Sequence, residues 1–188
     1  MSEKISQWLF AKSTGYVALT ATILFLLFAV LVLPGQSAAA NAFSAGAGTP
    51  DTSFLYSASD LYAMADAYGA SGRAAYVRAR FTFDLIFPLV FTFFLASTCS
   101  WFLARLLPND CPWRIINLAP LLGMLFDYAE NISAGLFMLR YPQPTALLAM
   151  LAPIFTFMKW VFVGGSFILL IGASIVFVGK AAKTKRGK

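Results

Sequence analysis

The sequence predicts an all-α fold, a transmembrane four-helix bundle with a short external amphipathic helix, forming a single domain over residues 1–188. Three observations carry that expectation. Apolar residues make up 60% of the chain and charged residues 12%, against roughly 45–50% and 25% in soluble domains. The charges are grouped between long uncharged runs and are not spread along periodic faces. Four of those runs are long enough for a helix rising about 1.5 Å per residue to cross a hydrocarbon layer of about 30 Å.

The first span is expected over 14–33, inside the charge-free interval between Lys12 and Asp51. The segment 34–80 is read as external. Its first part, Pro34 to Ser57, is rich in Gly, Ala, Ser and Thr and predicts an extended loop without function. Ser59 and Asp60 then offer a helix cap, Leu61, Met64, Ala65 and Tyr68 fall at helical spacing, and Gly69 offers a stop. A new helix is expected from Gly72, running unbroken into a second span over 81–106 that closes at Arg105 and the turn signal Pro108-Asn109-Asp110. The third span is placed at 114–139. The fourth, at 146–179, is too long for one straight crossing and is expected to protrude, tilt or bend near Pro153.

Four spans put Lys4, Lys12, Arg105, Arg114, Lys180, Lys183, Lys185, Arg186 and Lys188 on one side, nine of the fourteen basic residues. The positive-inside rule then makes both termini cytoplasmic in an inner (plasma) membrane. The basic tail from Lys180 should attract anionic lipid headgroups, worth about 1 kcal/mol per charge near the surface. Nucleic acid is a poor partner because no aromatics interleave with those charges. A competing reading takes Ser37-Ala38-Ala39-Ala40-Asn41-Ala42 as a signal-peptide cleavage site, but the preceding apolar run exceeds an ordinary h-region.

Histidine is absent, which removes bis-His haem, His-ligated metal and the usual His-based nucleophile pairs. No cofactor or metal is expected. Cys99 and Cys111 fall on the reducing side, so no disulfide is expected. Asn131-Ile132-Ser133 matches a glycosylation sequon within a membrane helix, where it is accidental. Gly165, Gly172 and Gly179 recur every seven residues and suggest a groove for close helix packing inside the bundle.

The chemistry is concentrated in charges within the spans. A charged residue at mid-bilayer costs at least about 2.5–3.5 kcal/mol on insertion scales, so Asp127, Glu130 and Asn131, one turn apart on one arc, must face the bundle interior. Asp127 and Glu130 are close enough to be expected to act as a coupled pair. Arg73, Arg80 and Asp84 share a face by spacing, and Arg80 and Asp84 are set to pair. Lys159 falls at the same outer level by residue count. Tyr76 and Tyr128 are available as hydrogen-bond partners. Pro88, Pro120 and Pro153 each free a backbone carbonyl one turn earlier.

The runs Tyr68-Gly69-Ala70-Ser71-Gly72-Arg73-Ala74-Ala75-Tyr76, Asp84-Leu85-Ile86-Phe87-Pro88 and Asp127-Tyr128-Ala129-Glu130-Asn131 together resemble a pattern in small, uncharacterised four-span bacterial membrane proteins. The resemblance covers roughly residues 56 to 140. It implies an inner-membrane location and carries no activity or ligand.

The expected function is a polar, carboxylate-containing cavity in the outer half that binds or permeates a small polar, cationic or lipid-headgroup ligand, with proton coupling as a variant. Arg73 and Arg80 would receive anionic groups, Asp84, Asp127 and Glu130 cations or protons, and Asn131 would orient them. A structural or assembly subunit, whose polar cluster only specifies helix pairing, is the second reading. A membrane enzyme using carboxylate acid–base chemistry is the third, without an identifiable nucleophile–base pair.

Overall fold

The computed structural model describes residues 1–186, with side chains through Lys183, so the end of the basic tail lies outside the described residues. Among the described residues there is no strand. Seven α-helices follow in order: α1 Ser2–Lys12, α2 Gly15–Leu31, α3 Leu33–Ser44, α4 Ala58–Arg80, α5 Phe83–Leu106, α6 Ala119–Arg140 and α7 Ala146–Arg186. Two 3-10 segments, Pro50–Thr52 and Pro112–Leu118, join them.

Helices α5 and α7 are long and apolar enough to cross a membrane, and α1 with α2, bent by 92° at their junction, add a third candidate span. Their outer faces are bare aliphatic surface: Leu31, Ile168 and Ile175 are 74%, 74% and 67% exposed, an arrangement that lipid and not water would tolerate. Helix α6 falls outside that group because Asp127, Glu130 and Asn131 dilute its apolar run, yet all three side chains are buried against its neighbours. It packs most extensively on α7, with α4 and α5 on its flanks.

The expected loop at 34–57 is corrected over its first part. After one residue, Val32, the chain re-enters a helix. Pro34 lies in the first turn of α3, where its missing N–H costs nothing, and the alanines that follow are strong helix formers. Phe43 then packs edge-on against Tyr68 and Tyr76. The helix stops at Ala45, in the left-handed region, and Gly46 and Gly48 continue the reversal at positive φ.

Helix α4 begins with a full capping box between Ser57 and Asp60, and Leu61, Met64, Ala65 and Tyr68 are its buried face as the spacing predicts. Gly69 does not end it; it kinks it at φ 60°, ψ −177°, a conformation open to glycine. The second half closes on α3, with Gly72 beneath the Phe43 carbonyl. The predicted unbroken run into the second span is also corrected. Thr82, at φ −129°, ψ −80°, separates α4 from α5, and its hydroxyl donates 2.6 Å to the Arg78 carbonyl, capping the end of α4.

Pro120 lies in the first turn of α6, after a 3-10 approach, so it interrupts no helix. Pro153 is carried inside α7 without ending it. An added Cβ at Gly165, Gly172 or Gly179 would meet nothing within 4 Å, so these residues do not line a packed groove within the chain. The close approach of α6 to α7 is made instead at Gly123, where a Cβ would lie 2.7 Å from Val163. Both cysteines are free thiols.

Candidate binding site

Six charged side chains from five elements meet at the end of the bundle opposite the termini. Arg80, on the last turn of α4, is buried with its guanidinium 4.7 Å from the Tyr76 ring centroid. Its Nη2 lies 2.8 Å from Asp84 Oδ2 on the first turn of α5, and its Nη1 donates 3.4 Å to Asn131 Oδ1 on α6. The Thr82 break lets the end of α4 and the start of α5 face the same interior point. Lys159 of α7 reaches Glu130 Oε2 at 2.6 Å and Asp51 Oδ1 at 3.9 Å. Glu130 has no exposed side-chain surface, so Lys159 is its counter-charge.

Asp51 is the member that the sequence reading missed. It arrives on the 3-10 turn Pro50–Thr52 and forms an ion pair with Arg80. The turn is held by its own bonds: the Thr52 and Ser53 hydroxyls donate to the Thr49 carbonyl, and Trp160 Nε1 donates 3.0 Å to the Asp51 carbonyl. Burial would raise the Asp51 carboxyl, but the Arg80 guanidinium and Lys159 outweigh it and hold the group below the usual carboxylate range. Arg80 is held more firmly protonated: burial opposes its charge, and Asp51 more than offsets that. Asp51 is the sole charge between Lys12 and Asp60. That isolation was the available signal.

The structure brings Arg80, Asp84, Asp127, Glu130, Asn131 and Lys159 together, with Tyr76 beneath Arg80. It leaves out two predicted residues. Beyond the Gly69 kink, Arg73 donates 2.7 Å to the Ala65 carbonyl and stacks over the Tyr141 ring at 4.7 Å, so it belongs to the packing of α4 on α6. Tyr128 turns the other way and donates 2.9 Å to the Leu85 carbonyl. Within the cluster the direct partners differ: Glu130 takes Lys159, while Asp127 accepts 3.0 Å from Asn131 Nδ2 one turn away.

A cavity of about 1110 Å³ opens beside this cluster, between α2–α3 on one side and α7 on the other, with α4 and α5 behind it. Asp51, Asp84, Asp127, Arg80 and Lys159 line its charged end. Phe87, Phe91, Val163 and Phe167 line a slot leading toward the termini. From Asp84 to Phe91 is seven residues, so the slot runs about 10 Å along α5. Its floor is closed by Phe25 stacked on Phe94 at 4.5 Å, with Phe167 6.2 Å from both. Among the described residues no group of His, Cys, Asp or Glu is arranged to hold a metal ion. With all groups ionised, four carboxylates face two cations in the cluster, a formal excess of two negative charges.

Comparison with protein-family models, curated proteins and solved structures gives no match.

Proposed function

We propose that this chain is a multi-pass inner-membrane protein whose four crossings are α2, α5, α6 and α7, with both termini cytoplasmic. Its carboxylate-containing cavity in the outer half binds a small ligand with a polar, cationic or lipid-like headgroup. The observation that carries this reading is the continuity of charged end and aromatic slot in one cavity. A cluster that served only to pair helices would need no open volume beside it. The Phe25–Phe94–Phe167 floor favours binding over permeation, because a permeating ion would have to pass three packed aromatic rings.

Arg80 and Lys159 act as the frame, each holding two carboxylates. Asp84 and Asp127 present oxygen atoms to the ligand. One observation favours the second reading, a structural subunit: Glu130, with no exposed side-chain surface, lies behind Lys159 and outside the cavity lining, so its ion pair with Lys159 resembles packing glue. Both roles coexist if Glu130–Lys159 fixes α6 on α7 and the carboxylates in front of it bind.

Mass spectrometry of small molecules released from purified protein tests the binding reading. Ser37, exposed on α3 at the cavity wall, is the position for a bulky Trp. Wild type should release a compound that Ser37→Trp does not, and identical profiles would remove the proposal. Reporter fusions at Lys188 and near Gly48 test the topology, which an external C-terminus would overturn.

A further inference from the structure

The cavity is amphiphilic, and its unmet charge has a sign. Both buried cations are already engaged: Arg80 by Asp51 and Asp84, and Lys159 by Glu130 and, at longer range, Asp51. An anion entering the charged end would have to displace Asp51 and would then face Asp84 and Asp127. Asp127 is in the opposite situation. It is 8% exposed and lines the cavity, and among the described residues it makes no ion pair and receives one hydrogen bond, from Asn131. An ionised carboxylate has room for about four donors. The nearest apolar continuation from that point is the Phe87–Phe91–Phe167 slot.

We infer that the cavity takes a single-chain amphiphile with an ammonium head, the head seated between Asp127 and Asp84 and the alkyl chain in the aromatic slot. The inference rests on the binding reading above and narrows it to one ligand chemistry. An ammonium brings the donors that Asp127 lacks and offsets part of the excess negative charge. The cavity lies between α2–α3 and α7, and an amphiphile entering between them would keep its chain in apolar surroundings. Arg78, exposed and lining the cavity, is, among the described residues, a cation with no ion pair at the cavity and so placed to meet a phosphate. A phosphoethanolamine lipid and a simple alkylamine share the ammonium chemistry, and Arg78 distinguishes them.

Native mass spectrometry in neutral detergent at pH 7 supplies the test, with decylamine, decyl sulfate, decanol and lysophosphatidylethanolamine as probes. Wild type should retain decylamine at least tenfold better than decyl sulfate. Asp127→Asn should abolish that preference while its melting temperature stays close to wild type. Ser37→Trp, which adds bulk at the cavity wall and leaves every charge in place, should weaken retention of every probe. Retention of lysophosphatidylethanolamine above decylamine, weakened by Arg78→Gln, would assign the ammonium to a lipid headgroup; the reverse order would assign it to a free amine. Decyl sulfate held as well as decylamine, or a preference surviving Asp127→Asn, would overturn the ammonium inference and leave the binding reading standing. Retention of no probe by wild type would overturn both.

Discussion

Asp51 and Arg80 form an ion pair that joins the linker after α3 to the last turn of α4. The pair makes a segment that looks like spacer into part of the charged cluster, because Asp51 also lies within 3.9 Å of Lys159 and so ties α4 to α7.

Replacing Asp51 with Asn should therefore loosen both helices. The side chain is 22% exposed, so the loss should fall below the 3–5 kcal/mol typical of breaking a fully buried pair, at about 1–3 kcal/mol. The pH dependence has a definite sign. A carboxylate held below its ordinary range in the folded state contributes stability that is present at neutral pH and lost as pH falls below that range. Detergent-solubilised wild type should lose thermal stability on acidification through pH 4 and below, and Asp51→Asn should show a smaller loss over that interval. An unchanged acid limb in the variant would show that Asp51 is not a source of it.

Lys159→Met tests the Glu130–Lys159 pair. It leaves Glu130, with no exposed side-chain surface, without its 2.6 Å counter-charge, and a buried unpaired charge costs about 3–5 kcal/mol. Adding Glu130→Gln should recover much of that loss, since the second change removes the orphaned charge. Equilibrium unfolding in mixed micelles reads both values. A double variant no more stable than Lys159→Met would mean that Lys159 contributes mainly through its alkyl stem.

Gly72→Ala probes the contact that shapes the cavity wall. The new Cβ would lie 2.5 Å from the Phe43 carbonyl oxygen, a backbone atom with no rotamer to yield. Helices α3 and α4 must separate by several tenths of an ångström, at about 1–3 kcal/mol for overpacking. Spin labels on exposed positions of the two helices should report a wider spacing. A distance distribution matching wild type would contradict the close approach.

Much of the helical plan was legible because periodicity and apolar runs report burial directly. Leu61, Met64, Ala65 and Tyr68 form one buried face, and Arg80 pairs with Asp84, both from spacing alone. What failed depended on the path of the chain between helices. The 34–44 stretch was misread because its small residues fit a loop as well as a helix closely packed on α4. Asp51 was lost with it, since a residue in a presumed spacer has no face to assign. Arg73 shares a spacing with Arg80 only on a straight helix, and the Gly69 kink removes that premise. Asp127 and Glu130 are neighbours on one helix, yet their direct partners come from the same helix in one case and from α7 in the other. Side-chain partners across helices are set by packing, which spacing does not encode.

The last prediction concerns the other end of the bundle. Asn117, with no exposed surface, accepts 2.7 Å from the Ser6 hydroxyl and donates to the Ser6 carbonyl at 3.2 Å and to Ser100 Oγ at 3.1 Å. One amide thus fastens α1 to α5 and to the 3-10 segment Pro112–Leu118, while the exposed Trp8 faces away from the bundle. Asn117→Leu keeps the volume but strands the polar groups of Ser6, at about 1–3 kcal/mol for a buried group left without its partner. Helix α1 should then detach while the spans stay folded. Trypsin should cut at Lys4 or Lys12 several-fold faster in the variant, and added ligand should not slow the cut. The independence follows from distance: Asn117, in the 3-10 segment before α6, is thirteen residues from Glu130, about 20 Å at helical rise. A cleavage rate equal to wild type would show that α1 is held by its apolar contacts and not by the amide.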